Sequence, residues 1–123
     1  MESKEFALFI AEALAEKKAE DLVILEVTQV VGYTDFVVVA GARNARQLQA
    51  MIGYVERHVR DTLGRQAYGV EGLGEGAWAL IDFGDVVVHV FRNEERQFYD
   101  LEGLWTEAPR VPFDPDAVPA AAT

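Results

Sequence analysis

Between Ala77 and Phe91 the chain reads as two apolar runs joined by Gly84-Asp85, a dipeptide suited to a two-residue hairpin turn. Such a turn fixes the register: Phe83 faces Val86, Asp82 faces Val87, Leu80 faces His89 and Trp78 faces Phe91. Successive strand side chains point to opposite faces, so the register sorts them. One face carries Ala79, Ile81, Phe83, Val86, Val88 and Val90, all apolar, and must be covered. The other carries Trp78, Leu80, Asp82, Val87, His89 and Phe91. Large aromatics beside one carboxylate and one imidazole are the composition of a protein-binding face. The pattern leaves two readings of this face: open, or covered by a C-terminal helix with His89 satisfied inside.

The cover for the apolar face comes from two amphipathic helices. Residues 4–18 place Phe6, Phe9, Ile10, Ala13 and Leu14 in one stripe. Residues 45–63 place Leu48, Met51, Ile52, Val55, Val59 and Leu63 in another, with Asn44 and Gln47 as a capping-box start and Gly64 as the left-handed stop. Leu22–Val27 reads as a short strand. After the break at Gly32–Asp35, the β-branched run Phe36–Ala40 reads as a strand covered on both faces, at the centre of a sheet. Gln66–Val70 is a weak strand, Gly69–Gly76 a flexible glycine-rich connection, and Glu94–Tyr99 a short closing helix. The expected fold is α+β, a mixed sheet of about five strands with helices on one face, in the order α-β-β-α-β-β-β-α.

The domain spans residues 1–108. All four prolines, Pro109, Pro112, Pro115 and Pro119, fall in the last fifteen residues, so 109–123 reads as an extended, mobile, Pro/Ala-rich tail.

Composition removes whole classes of chemistry. The 123 residues include no Cys, which excludes a disulfide framework, a thiol nucleophile and a Cys-ligated zinc. The one serine is Ser3, near the chain end, and no His-x-x-x-His pair joins His58 and His89. No apolar run reaches membrane-spanning length, and MESKEF lacks the order of a signal peptide. The expectation is a soluble, cytoplasmic protein with no cofactor, no metal and no membrane partner. A net charge of −10 disfavours nucleic acid and anionic membranes as the main contact and favours basic partners. Within that acidic chain Arg43, Arg46, Arg57 and Arg60 fall together on the outer side of the second helix. The strip is either a solvated face or a contact with RNA phosphate or an acidic neighbour.

An enzymatic reading has to use Asp82 and Asp85, as metal-binding carboxylates of a nucleotidyl- or phosphotransferase. Two carboxylates sharing a metal from one strand should be two residues apart; these are three apart, and Asp85 suits a turn without any catalytic role. Asp35 completes such a cluster only if the fold brings it near.

The runs Asp82-Phe-Gly-Asp-Val-Val-Val-His-Val-Phe91 and Arg96-Gln-Phe-Tyr-Asp-Leu-Glu-Gly-Leu-Trp105 resemble the ribosomal silencing factor family (RsfS, also called Iojap). Thr34-Asp35-Phe36, Arg46-Gln47, Glu71-Gly72 and Trp78 fit the same pattern, so the resemblance covers roughly residues 5–108. It implies a non-enzymatic translation regulator that binds the large ribosomal subunit through ribosomal protein fourteen and obstructs joining of the small subunit under nutrient limitation. It also implies a fold shaped like a nucleotidyltransferase without the catalytic signature, and in some members a homodimer. Trp78, Asp82, Asp85, His89, Phe98, Tyr99 and Asp100 match family motifs and, with Leu80 from the hairpin face, are the expected interface. The arginine strip would then be a peripheral contact with ribosomal RNA. Two departures stand out: Ala40-Gly41-Ala42-Arg43 replaces a stretch richer in Ser and Gly, and Phe83 stands where Tyr is common.

Overall fold

The computed structural model describes residues 1–29, 32–74, 76–93 and 108–117. Helix α1 spans Ser3–Glu16, followed by strands β1 (Glu20–Glu26) and β2 (Phe36–Ala42). Helix α2 spans Ala45–Leu63, and β3 (Gly69–Glu71), β4 (Trp78–Asp82) and β5 (Val86–Arg92) complete one five-stranded sheet. The strand order is β1-β2-β5-β4-β3; β2 and β5 run parallel and every other pair is antiparallel. This is the expected mixed α+β architecture. The middle position belongs to β5 and not to β2, because the hairpin docks its second strand, rather than its first, against β2. β2 is nevertheless interior and buried along its whole length.

Both helices lie on one face. Phe6, Ile10 and Leu14 of α1 and Leu48, Met51, Ile52, Val55 and Val59 of α2 share a single core with Val38, Ala79, Ile81, Phe83, Val88 and Val90. Phe6 meets Phe83 edge-to-face at 5.2 Å, both rings buried. Each such ring contributes about 1.5–3 kcal/mol by leaving water. The start of α2 also ties the two helices together. Asn44 Oδ1 accepts from the Gln47 backbone N–H at 2.8 Å, and Gln47 Oε1 accepts from the Arg43 N–H at 2.7 Å. The Gln47 amide then donates to the carbonyls of Lys17 and Lys18 just past the end of α1, at 3.3 and 3.4 Å. One capping side chain thereby satisfies groups at two helix ends.

The register of the hairpin is the expected one, from Trp78 opposite Phe91 to Asp82 opposite Val87. The turn has φ +91° at Gly84, the first central position, which is the geometry of a type II′ turn.

Part of the segment expected to be a mobile tail is docked. The Glu26 N–H donates to the Pro109 carbonyl at 2.8 Å and the Val111 N–H to the Ile24 carbonyl at 2.9 Å, so residues 109–111 run along the outer edge of β1. Val111 is buried, Phe113 packs on the main core, and the 3-10 turn Pro115–Ala117 lies against α1. Proline is tolerated there because an edge leaves every second N–H unpaired. The closing helix at 94–99 lies outside the described residues.

Candidate protein-docking face

The second face of the sheet is built by the same alternation that built the core. Register places Val37 and Val39 of β2 beside Val87 and His89 of β5, and Glu71 of β3 beside Leu80 of β4. Burial is graded across it. Leu25, Val27, Val37, Val39 and Phe91 form a small second core with Ala108. Towards β4 and β3 the face opens: Trp78 is 36% exposed and Tyr68 82%, Leu80 and Asp82 are half-buried, and Glu71 is exposed. The half towards β1 is thus covered and the half towards β3 is more exposed, while the C-terminal helix expected as a cover lies outside the described residues.

Two adjoining hollows line the open half. One, of about 350 Å³, is bounded by Glu71, Gly72, Trp78 and Leu80; the other, of about 280 Å³, by Tyr68, Gly69, Glu71, Leu80 and Asp82. They share Glu71 and Leu80, so together they form one shallow groove of side-chain width, at the small end for a small-molecule site. Gly72 has φ +85°, and a Cβ there would run into the Trp78 carbonyl. The glycine-rich connection, read from sequence as flexible, therefore lets β3 and its loop close onto β4. The Gln49 side-chain amide further holds the loop by donating to the Leu73 carbonyl at 3.1 Å.

Trp78 is held from beneath. Its ring stacks on Phe91 at 4.9 Å, and its indole N–H donates to His89 Nδ1 at 3.1 Å. His89 is only 6% exposed, and burial pushes its pKa down to about 4. A neutral ring that accepts at Nδ1 carries its proton on Nε2. His89 is therefore not a surface anchor but the residue that orients the exposed indole.

The two hairpin carboxylates have gone to different tasks. Asp82 Oδ1 accepts from the Gly84 N–H at 2.8 Å, which stabilises the turn while the carboxylate stays at the groove rim. Asp85 points away, to the base of α1. It accepts from Arg65 Nη2 at 2.8 Å and from Ser3 Oγ at 2.9 Å, and the same hydroxyl reaches Asp35 at 3.1 Å. Arg65 also donates to the Phe83 carbonyl at 2.9 Å and lies 4.0 Å over the Phe6 ring. Burial by itself would raise the pKa of Asp85; the hydrogen bonds from Arg65 and Ser3 outweigh it and hold the carboxyl below its usual range. Sequence reasoning offered Asp85 as an interface charge, but its charge is already answered inside the molecule. Asp35 does join it in space, through Ser3, which is anchored in the first turn of α1.

A transferase needs Asp82 and Asp85 to converge on one reacting centre, and here they belong to separate networks on different sides of the turn. Of the expected site residues, Trp78, Leu80 and Asp82 come together at the groove, with His89 beneath them. Phe98, Tyr99 and Asp100 lie outside the described residues. Sequence reasoning missed Tyr68 and Glu71, which the β3–β4 pairing alone brings to the groove. Among the described residues no helix is long and apolar enough to cross a membrane.

An apolar groove with an oriented indole and an acidic rim, on a mixed sheet, has the composition of a protein-binding surface. The family model for "ribosomal silencing factor during starvation" (RsfS) matches residues 1–123. The chain is 35% identical over 114 residues to the ribosomal silencing factor RsfS of Bacillus subtilis, covering 93% of this chain and 96% of that one. It is 32% identical over 95 residues to the mouse protein named mitochondrial assembly of ribosomal large subunit protein 1, covering 76% of this chain and 42% of the longer relative. A crystal structure of a Chromobacterium violaceum protein superposes with a TM-score of 0.83 at 34% identity, covering 86% of this chain and 88% of that one. The chain belongs to the ribosomal silencing factor family.

Proposed function

We propose that this protein silences ribosomes by seating its β3–β4 groove on the large subunit, with ribosomal protein fourteen as the direct contact, so that its body obstructs joining of the small subunit. The observation that carries this reading is the half-open sheet face: Trp78 and Leu80 in a groove rimmed by Asp82 and Glu71, on a chain of net charge −10. An oriented aromatic beside carboxylates suits a partner with an apolar spot ringed by Lys or Arg, as expected of a protein embedded in RNA. Support for the large subunit comes from the relatives, one named a ribosomal silencing factor and one named for assembly of the mitochondrial large subunit. No chemistry is required. Obstruction follows occupancy, and long-range attraction between the acidic chain and a basic partner speeds encounter.

Co-sedimentation with purified large subunits tests the reading. Leu80→Asp places a charge in the groove without disturbing the core face, and Asp82→Arg reverses the rim charge. Each is expected to weaken binding by about 10- to 100-fold, the scale of losing one central contact. Unchanged sedimentation of both variants contradicts the site.

A further inference from the structure

The charge of the chain is unevenly distributed. Residues 43–65 carry five arginines against Glu56 and Asp61, a local charge of +3, whereas the rest of the chain carries six basic residues against nineteen acidic ones. That positive segment is α2 with its flanks. Because Leu48, Met51, Ile52, Val55 and Val59 turn inward, the positions opposite them face solvent. Arg43, Arg46, Arg57 and Arg60 are all exposed. Among the described residues only Arg60 of these four makes an ion pair, with Asp61 at 3.3 Å, and both of its ends are more than half exposed. A pair of that kind contributes little and yields readily to a better anion. Arg65, committed to Asp85, is not part of the strip.

What lies between the arginines narrows the partner. Ala50 and Gly53 sit on the outer face between Arg46 and Arg57, so no bulky side chain holds a flat or convex surface away. The nearest ring on the helix, Tyr54, is half-buried and engaged by His58, Glu16 and Lys17 beside α1 rather than offered to an unpaired base, which disfavours single strands. A duplex offers its phosphates without unstacking, and duplex RNA is read mostly through backbone and shape. From Arg46 to Arg60 the helix advances about 21 Å. Over that length a duplex presents on the order of ten phosphate charges. Guanidinium groups pair with phosphate in a bidentate manner, which a lysine strip would not do.

We infer that Arg43, Arg46, Arg57 and Arg60 form a second docking surface, which takes the phosphate backbone of duplex RNA on the side of the molecule opposite the groove. α2 covers the other face of the sheet from Trp78 and Leu80, so the two surfaces point in opposite directions and both can be filled at once. Engagement of one then makes the other contact intramolecular. Its setting on a ribosome rests on the function proposed above; its chemistry does not.

The test is fluorescence anisotropy with a 20-base-pair RNA duplex of arbitrary sequence, over a salt series starting near 25 mM, beside co-sedimentation with large subunits. The proteins are the natural chain, R43Q/R46Q/R57Q/R60Q and L80D, each checked for an unchanged unfolding transition. The natural chain and L80D are expected to bind the duplex alike, with a log–log salt slope of about −3 to −4 for four contacts. The quadruple variant is expected to bind at least ~10-fold more weakly at low salt, with a slope near zero. Absence of duplex binding by the natural chain, or equal binding by the quadruple variant, overturns the inference. So does a quadruple variant that loses subunits when the natural chain ignores the duplex, because the partner is then an acidic protein. If duplex binding behaves as expected but the natural chain does not sediment with large subunits, the function proposed above fails and the RNA surface stands.

Discussion

His89 and Asp85 sit eleven and seven residues after Trp78, both in the recognised run, yet their roles are internal. His89 folds as a neutral ring because burial holds its pKa at about 4, against 6.5 for a free histidine. Between those values the unfolded chain binds the extra proton and the folded chain does not, so stability falls as pH drops from about 6.5 to about 4 and the contribution levels off below. The shift corresponds to a loss on the order of 3 kcal/mol. Chemical denaturation at pH 7 and pH 4.5 is expected to show most of this difference, and His89→Gln to flatten it. Asp85 acts in the next window down. Its depressed pKa contributes stability that is complete above about 4 and is lost as the carboxyl protonates at lower pH. Arg65→Ala removes the partner at 2.8 Å and is expected to move acid unfolding to higher pH, at a cost of about 1 kcal/mol near neutrality because the pair is about one-third exposed.

At the scale of elements, local rules decided most of the fold. β4 and β5 formed in the expected register because a two-residue turn admits little else, and α2 starts at Asn44 and stops at Gly64 as its caps dictate. What local pattern does not contain is the order in which strands meet. The pairing of β2 with β5, which puts β5 in the middle, and the landing of residues 109–111 on β1 are non-local contacts, and composition misread the latter as a free tail. The same holds for the site. Trp78, Leu80 and Asp82 share a face by alternation alone, but Glu71 and Tyr68 reach them only through the β3–β4 pairing, and Arg65 finds Asp85 from twenty residues away. Two outcomes follow for the elements. Gly84→Ala forces a side chain into φ +91° and against the Tyr68 ring at 2.7 Å, so it is expected to destabilise the domain by more than about 1 kcal/mol in urea titration. Val111→Asp is expected to release the docked C-terminal segment, read as faster amide exchange at Glu26, whose N–H bonds to the Pro109 carbonyl across that edge.

For the whole molecule, the division of charge and the division of faces coincide. Acidic residues dominate everywhere except α2, the helices cover one side of the sheet, and the groove opens on the other. The −10 net charge therefore describes an average over two unlike surfaces, and exclusion of nucleic acid applies to the groove side alone. The central claim is that occupancy of the groove keeps subunits apart. The most direct measurement is light-scattering of subunit joining, with purified large and small subunits and increasing amounts of the protein or of L80D. The account predicts that joining falls in proportion to the fraction of large subunits occupied by the natural chain, and that L80D needs about 10- to 100-fold more protein for the same effect. Joining that proceeds unchanged at full occupancy of the large subunit, or equal inhibition by L80D, would contradict it.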